Sequence, residues 1–378
     1  MVLVIGIMFI PLLQRYVFYF KEKLLLGASI PADDTILTLN SWLSGRYQMR
    51  TEDFLNEKFG FRSFFVRINN QKRFSLFGKT SANDVIIGKQ KVLYQRMYYD
   101  AFIGTDHKDE AIIAEQVRRY KYVQDVLQTQ NKHLLFIIAP GKVSFFPEYI
   151  PDELSLQRVN PSNYEVVVNE LQKNDVNYID FRDYFIRIKD QASYPLFPRS
   201  GTHWSGYAAT IVMDSLVKYI EHVMQQDIPD FELKPGTITN KDMRWTDSDI
   251  GDAMNLLVPI KNWDMYYPEI NFIDQPEKKK PELLLIGDSF SQSLFKFYPY
   301  FDHLFGSQSV FWGYNRIIAW PDSLEKKYIN VKTLNLEDEI RKREFIVIVS
   351  TEQNLGTFSF DFADECYELF NKKDIQTN

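Results

Sequence analysis

The chain has 378 residues, 45% of them hydrophobic and 15% aromatic, enough to bury a full α/β core, which excludes a disordered chain. Its 44 Lys and Arg stand against 50 Asp and Glu, a net charge of -6 with no long single-sign run, which argues against a nucleic-acid partner. One cysteine, Cys366, excludes an internal disulfide framework, and the lack of any Cys/His cluster excludes a structural zinc site.

In chain order, Met1 to Leu13 carries no charge, and Tyr16 to Phe20 adds a second apolar run before Lys21 and Lys23. The first run is shorter than the roughly 20 residues of a membrane helix and has the length of a signal h-region. Arg15 could snorkel to the interface if the segment were an anchor. Pro11 argues against a core helix. Residues 1–23 are therefore read as a signal or membrane anchor and 24–378 as one domain. Phe54 to Phe77 carries apolar residues at three-to-four spacing and predicts one surface helix. Its stripe could meet a membrane or partner, although facing the core is the commoner meaning. Asp84 to Tyr94 has two apolar runs about a glycine, the pattern of a hairpin.

Ala111 to Gln130 then predicts a helix and His133 to Ala139 a buried strand. The alternation continues with a helix over Asn163 to Lys173, a strand over Val176 to Phe181, and a helix over Ser205 to Met224. Strands over Leu283 to Ile286 and Phe345 to Ser350 follow. Repeated helix and strand with continuous apolar strands implies an α/β fold, a mainly parallel sheet covered by helices on both faces, with chemistry at the carboxyl ends of strands. Residues 227–280, rich in Pro, Asp and Trp loops, read as a long insertion.

The strongest chemical signal is Leu283 to Phe290, LLLIGDSF, which delivers Ser289 to a strand-to-helix turn. There backbone N–H groups can hold an oxyanion. The same serine would also serve as a helix cap. A serine nucleophile needs a base, and of five histidines only His203, in LFPRSGTHWSGYA, stands on a broken loop ahead of a helix. Lys142, Glu352, Gln353 and Asn354 lie at predicted carboxyl ends of strands, where they could touch a sugar or an oxyanion. A salt bridge between loops is the alternative for Lys142 and Glu352. Trp204 is a further candidate for substrate contact. FGKTS at 77–81 has Arg73 where a phosphate loop needs its first glycine, which argues against nucleotide binding.

With these residues in view, the chain resembles the SGNH-hydrolase-like family of the alginate O-acetyltransferase type. The likeness rests on FGFR at 59–62, VIIGK at 85–89, APGKVSFFPEYIP at 139–151, THW at 202–204, DIGDAMNL at 249–256, GDSFS at 287–291 and STEQNL at 350–355. It implies an SGNH-hydrolase-like, flavodoxin-like fold in circularly permuted order, histidine before serine. It also implies Ser289 as nucleophile and His203 as base. Many relatives carry an aspartate two residues before the histidine, where this chain has Gly201. The orienting group is then a carboxylate from elsewhere, such as Asp249 or Asp252, or a backbone carbonyl. Asp288 and Asn354 are the remaining orienting or oxyanion candidates, with Asp288 read chiefly as shaping the turn.

The function so implied is O-acetyl transfer to hydroxyls of an extracytoplasmic polysaccharide through an acetyl-serine. No cofactor is expected, since the acetyl donor would come from another protein, a polytopic membrane acyltransferase. The expected location is the periplasmic or cell-surface side of the inner membrane. A carbohydrate acetylesterase with the same dyad is one alternative. A non-catalytic polysaccharide-binding or assembly protein is the other, and it would be favoured by a Ser289 to His203 separation beyond hydrogen-bond reach.

Overall fold

The computed structural model describes residues 9–11, 13–14, 22–27, 36–57, 59–321 and 329–377. Most of the expected signal or anchor, 1–23, lies outside the described residues. Among the described residues no helix is long and apolar enough to cross a membrane. The chain divides into two compact units, residues 1–87 with 250–260, and residues 88–249 with 261–378.

The first unit contains helices Leu39–Leu43, Arg46–Glu57 and Arg62–Phe77. The single helix expected over 54–77 is thus two, because Phe61 adopts a left-handed φ of 57° and starts a new helix. Within this unit the Asn255 side chain bonds both backbone groups of Leu26 at 2.8 Å, and Asn70 Nδ2 donates to the Met254 carbonyl at 3.0 Å. These bonds explain why 250–260 belongs with the N-terminal residues.

The second unit is built on a six-stranded sheet. Its strands are β1 (His133–Ala139), β2 (Tyr178–Asp180), β3 (Leu283–Gly287), β4 (Val310–Gly313), β5 (Ile317–Trp320) and β6 (Phe345–Thr351), in spatial order β2-β1-β6-β3-β4-β5. All neighbours are parallel except β5, which runs antiparallel to β4 at the edge. The central strands are apolar along most of their length because alternate residues face opposite sides of the sheet and both sides are covered. Phe136, Ile138, Leu284, Ile286, Ile346 and Ile348 share one core, while Leu135, Ile137, Leu285 and Val347 are as fully buried.

The helices that matter here are α1 (Glu110–Thr129), α2 (Asn163–Lys173), α3 (Phe181–Ile188), α4 (Gly206–Met224) and α5 (Phe362–Thr377). Val117, Tyr120 and Leu127 of α1, Val167 and Leu171 of α2, and Phe362 and Cys366 of α5 close over the first core. A capping box starts α2, with the Ser162 hydroxyl accepting from the Glu165 N–H and the Glu165 carboxylate accepting from the Ser162 N–H. Such a cap contributes about 1 kcal/mol. The stretch 227–280 is not all loop, since Phe231–Thr239 and Met265–Phe272 pair as an antiparallel ribbon.

Candidate active site

Three adjacent strands end together. Thr351 of β6 lies level with Ala139 of β1, and Val349 with Gly287 of β3, so the residues that follow each strand converge. After β3 comes a single 3₁₀ turn, Ser289–Gln292, continued by a four-residue helix, Ser293–Lys296. Asp288 shapes this turn. Its Oδ1 accepts from the Phe290 N–H at 3.1 Å, and its Oδ2 accepts from the Thr351 N–H at 2.8 Å, the Thr351 hydroxyl at 2.7 Å and Asn354 Nδ2 at 2.8 Å. Asp288 is therefore committed to joining β3 to β6 and does not orient the histidine. Asn354, the oxyanion candidate, is held by the same carboxylate.

His203 lies on the loop before α4, which Ser205 caps by accepting from the Ala208 N–H at 3.1 Å. The imidazole Nε2 stands 2.8 Å from Ser289 Oγ, and Nδ1 stands 2.9 Å from Asp249 Oδ2. The other Asp249 oxygen accepts from the Thr202 N–H at 2.8 Å, so one carboxylate fixes both the ring and the loop that carries it. With Nδ1–H donated to Asp249, Nε2 is left as the acceptor for the Ser289 proton, the tautomer a general base requires. Asp249 thus takes the orienting place. Asp252 belongs to the other end of the same short helix, Asp249–Ala253.

Gly201 shows why the carboxylate comes from a distant segment. A Cβ at Gly201 would meet the Thr246 carbonyl oxygen at 2.4 Å and the Asp247 carbonyl carbon at 2.9 Å. The space a side chain would need is filled by the stretch leading to Asp249. Gly201→Ala is accordingly expected to lose about 1–3 kcal/mol of stability, read by chemical denaturation, together with activity, because the clash pushes apart the loop that carries His203 and the stretch that leads to Asp249.

Of the residues expected to contact substrate, Lys142, Trp204 and Glu352 are buried, and Gln353 and Asn354 are half-buried. Trp204 is 0% exposed and packs against Phe290, Phe185 and Phe181 with ring centroids 5.3, 6.2 and 6.3 Å away. It anchors the histidine loop and offers no face to a sugar. Glu352 accepts from the Gly141 N–H at 2.5 Å, the Ser144 hydroxyl at 2.7 Å and Arg182 Nε at 2.6 Å, which ties the turn after β1 to the end of β6 and to α3. Removing one side of so buried a pair strands the other charge. Arg182→Met is expected to cost about 3–5 kcal/mol, measured as a lower urea midpoint. Lys142 is 1% exposed and its ammonium donates to the backbone carbonyls of Arg199 and Gly201 rather than pairing with Glu352 among the described residues. Burial lowers its pKa to about 7, against the opposing pull of Asp249 and Asp247. Asp247 moves the other way, raised to about 7 chiefly by burial, with the Tyr267 hydroxyl donating to it at 2.6 Å.

Two aromatic residues at the site escaped sequence reasoning. Phe290, fully buried, lies 4.7 Å from the His203 ring and backs it; its place in GDSF was the available signal. Tyr314 donates its backbone N–H to the Gly287 carbonyl at 2.8 Å, just before the turn that carries Ser289; burial and then the Asp288 charge raise its pKa. Nothing in the sequence marked it, because it follows β4, a strand too short to read. A cavity of about 490 Å³ is lined by Tyr314, Arg316, Asn354, Thr357, Phe360 and Asp361 among others; Ser289 and His203 are not in its lining. A partly exposed serine, a buried imidazole and a carboxylate in series can accept an acyl group and pass it on.

Residues 85–310 match the family model described as an SGNH hydrolase-like domain, acetyltransferase AlgX. The chain is 22% identical over 174 residues to a probable alginate O-acetylase AlgJ of Pseudomonas syringae pv. tomato, a stretch covering 46% of this chain and 42% of that protein. Among solved structures, the O-acetyltransferase domain of Pseudomonas putida AlgJ is similar over 75% of this chain and 98% of that one, with 16% identity and a TM-score of 0.46. Pseudomonas aeruginosa AlgX is similar over 74% of this chain and 67% of that one, with 11% identity and a TM-score of 0.45.

Proposed function

This chain belongs to the SGNH hydrolase-like acetyltransferase family of the AlgX type, and from that premise we propose that it transfers acetyl groups to hydroxyls of a polysaccharide through an acetyl-Ser289 intermediate. The observation that carries the reading is the unbroken series Asp249, His203, Ser289, with links of 2.9 and 2.8 Å. At 2.8 Å the separation that would have favoured a non-catalytic relative is not met.

In the first half-reaction Ser289 Oγ attacks the carbonyl carbon of the donor's acetyl group while His203 Nε2 takes the hydroxyl proton. The tetrahedral oxyanion would be held by the Ser289 N–H at the turn after β3, the Phe290 and Ser291 N–H groups donating to Asp288. Its collapse breaks the bond to the donor, whose leaving group departs with the proton from His203. In the second half-reaction a sugar hydroxyl oxygen attacks the acetyl-serine and its proton passes to His203. Ser289 then leaves and recovers that proton. Asp249 holds the ring and stabilises the imidazolium in both halves. The cavity lined by Tyr314 and Asn354 would take the acceptor sugar, Asn354 being tied through Asp288 to the turn that carries Ser289.

The proposal extends to place and partners. The chain would act outside the cytoplasm, held at or carried across the membrane by residues 1–23, and would receive acetyl groups from a polytopic membrane acyltransferase.

The test is the fate of the acetyl group when the protein is given an activated acetyl ester with and without oligosaccharides. Acetylated sugar formed at the expense of free acetate supports the transferase. Acetate alone, at a rate indifferent to every acceptor, identifies an acetylesterase instead.

A further inference from the structure

Lys142 is among the buried charged residues that the acyl-transfer scheme leaves unused. Lys142 opens the short helix Lys142–Phe145, directly after the Pro140–Gly141 turn. Its ammonium donates to the carbonyl of Arg199 at 2.9 Å and to that of Gly201 at 2.7 Å, and lies 5.6 Å from the centre of the Tyr94 ring. Those two carbonyls flank Ser200, immediately before the Thr202 N–H that bonds Asp249 and the His203 ring that bonds both Asp249 and Ser289.

The same turn is gripped from its N–H side. Asn262 Oδ1 accepts from the Arg199 N–H at 2.6 Å and the Ser200 N–H at 3.2 Å, and its Nδ2 donates to the Asp247 carbonyl at 2.7 Å. Lys142 is itself anchored, because Glu352 holds Gly141 and Ser144 on either side of it.

A lysine amine is costly to bury, and an apolar side chain of similar length would fill the space without that cost. What an apolar residue lacks is donors; without them the Gly201 carbonyl loses the ammonium it accepts from, and the Arg199 carbonyl keeps only the Leu93 N–H, at 2.9 Å. The energy of burial is thus spent on fixing one turn, and that turn carries the base.

We propose that Lys142 is a positioning residue for acyl transfer: it clamps the Arg199 and Gly201 carbonyls so that His203 and Asp249 stay aligned on Ser289. The inference rests on the acyl-serine reading.

Lys142→Met tests it through two readouts on the folded protein, steady-state hydrolysis of a small acetyl ester and the far-downfield proton resonance of a His203 Nδ1–H bonded to a carboxylate. Misplacing the base by a fraction of an ångström to an ångström is expected to lower kcat roughly 10- to 100-fold with KM little changed. The resonance is expected to broaden or vanish. A lower melting temperature with kcat and the resonance both intact would overturn the proposal and leave Lys142 a packing residue. If Lys142→Met does not fold, Lys142→Gln, which keeps an NH₂ for one of the two carbonyls, is read in the same way, with an intermediate loss expected and no loss overturning the proposal. Labelling of wild-type Ser289 by a sulfonyl fluoride separates the two ideas. No labelling removes the acyl-serine reading, whereas labelling with an unaffected Lys142 variant removes only the positioning role.

Discussion

Ser289→Ala is expected to lower turnover of an acetyl ester by on the order of 10⁶-fold while leaving the fold intact. The hydroxyl stands 2.8 Å from the His203 nitrogen that would take its proton in the proposed acyl transfer. Stability should change little, since Ser289 is partly exposed and the turn it sits on is held by Asp288, whose bonds to Phe290, Thr351 and Asn354 the substitution does not touch. Matching thermal melts and a rate at the non-enzymatic level are the expected result. Turnover close to that of wild type would mean that the chemistry lies elsewhere.

Asp249→Asn is expected to cost about 10⁴-fold in kcat with a near-normal KM. An amide at this position can present its NH₂ to Nδ1, which favours the tautomer whose Nε2 carries the proton and cannot accept one from Ser289. The same change weakens acceptance from the Thr202 N–H, so the loop loosens as well. Asp252→Asn is the matched control, because His203 bonds Asp249, and turnover should remain near wild type. The reverse pattern, with Asp252 essential and Asp249 dispensable, would reassign the third residue of the series.

The strands on which the site is mounted were legible because burial on both faces leaves an unmistakable run. HLLFIIA and FIVIVS match β1 and β6 to within a residue. The ribbon in 231–272 was not, because Pro235 and Gly236 interrupt its first strand at a register shift between Lys234 and Thr237, and such a strand reads as a turn. β4 and β5 were missed for a different reason, being four residues each and without alternation.

Ser289 and His203 could be found from residue type and local punctuation. Asp249 could only be offered beside Asp252, because its bond to His203 spans 46 positions and depends on how the backbone at 246–247 fills the space over Gly201. Depth is what the sequence concealed most. Lys142, Trp204 and Glu352 are of types that suit a sugar site, and their position after strand ends pointed the same way. Their burial follows from the packing of the turn after β1, the loop before α4 and the end of β6, which only the folded chain brings together.

The most direct test of the account is peptide mapping by mass spectrometry after brief mixing with an activated acetyl ester, followed by a chase with an oligosaccharide acceptor. The account predicts a single acetyl group on the peptide that contains Ser289, lost during the chase as the sugar becomes acetylated. Acetyl transfer to sugar with Ser289 never modified, or an acetyl group that stays on the protein through the chase, would contradict it.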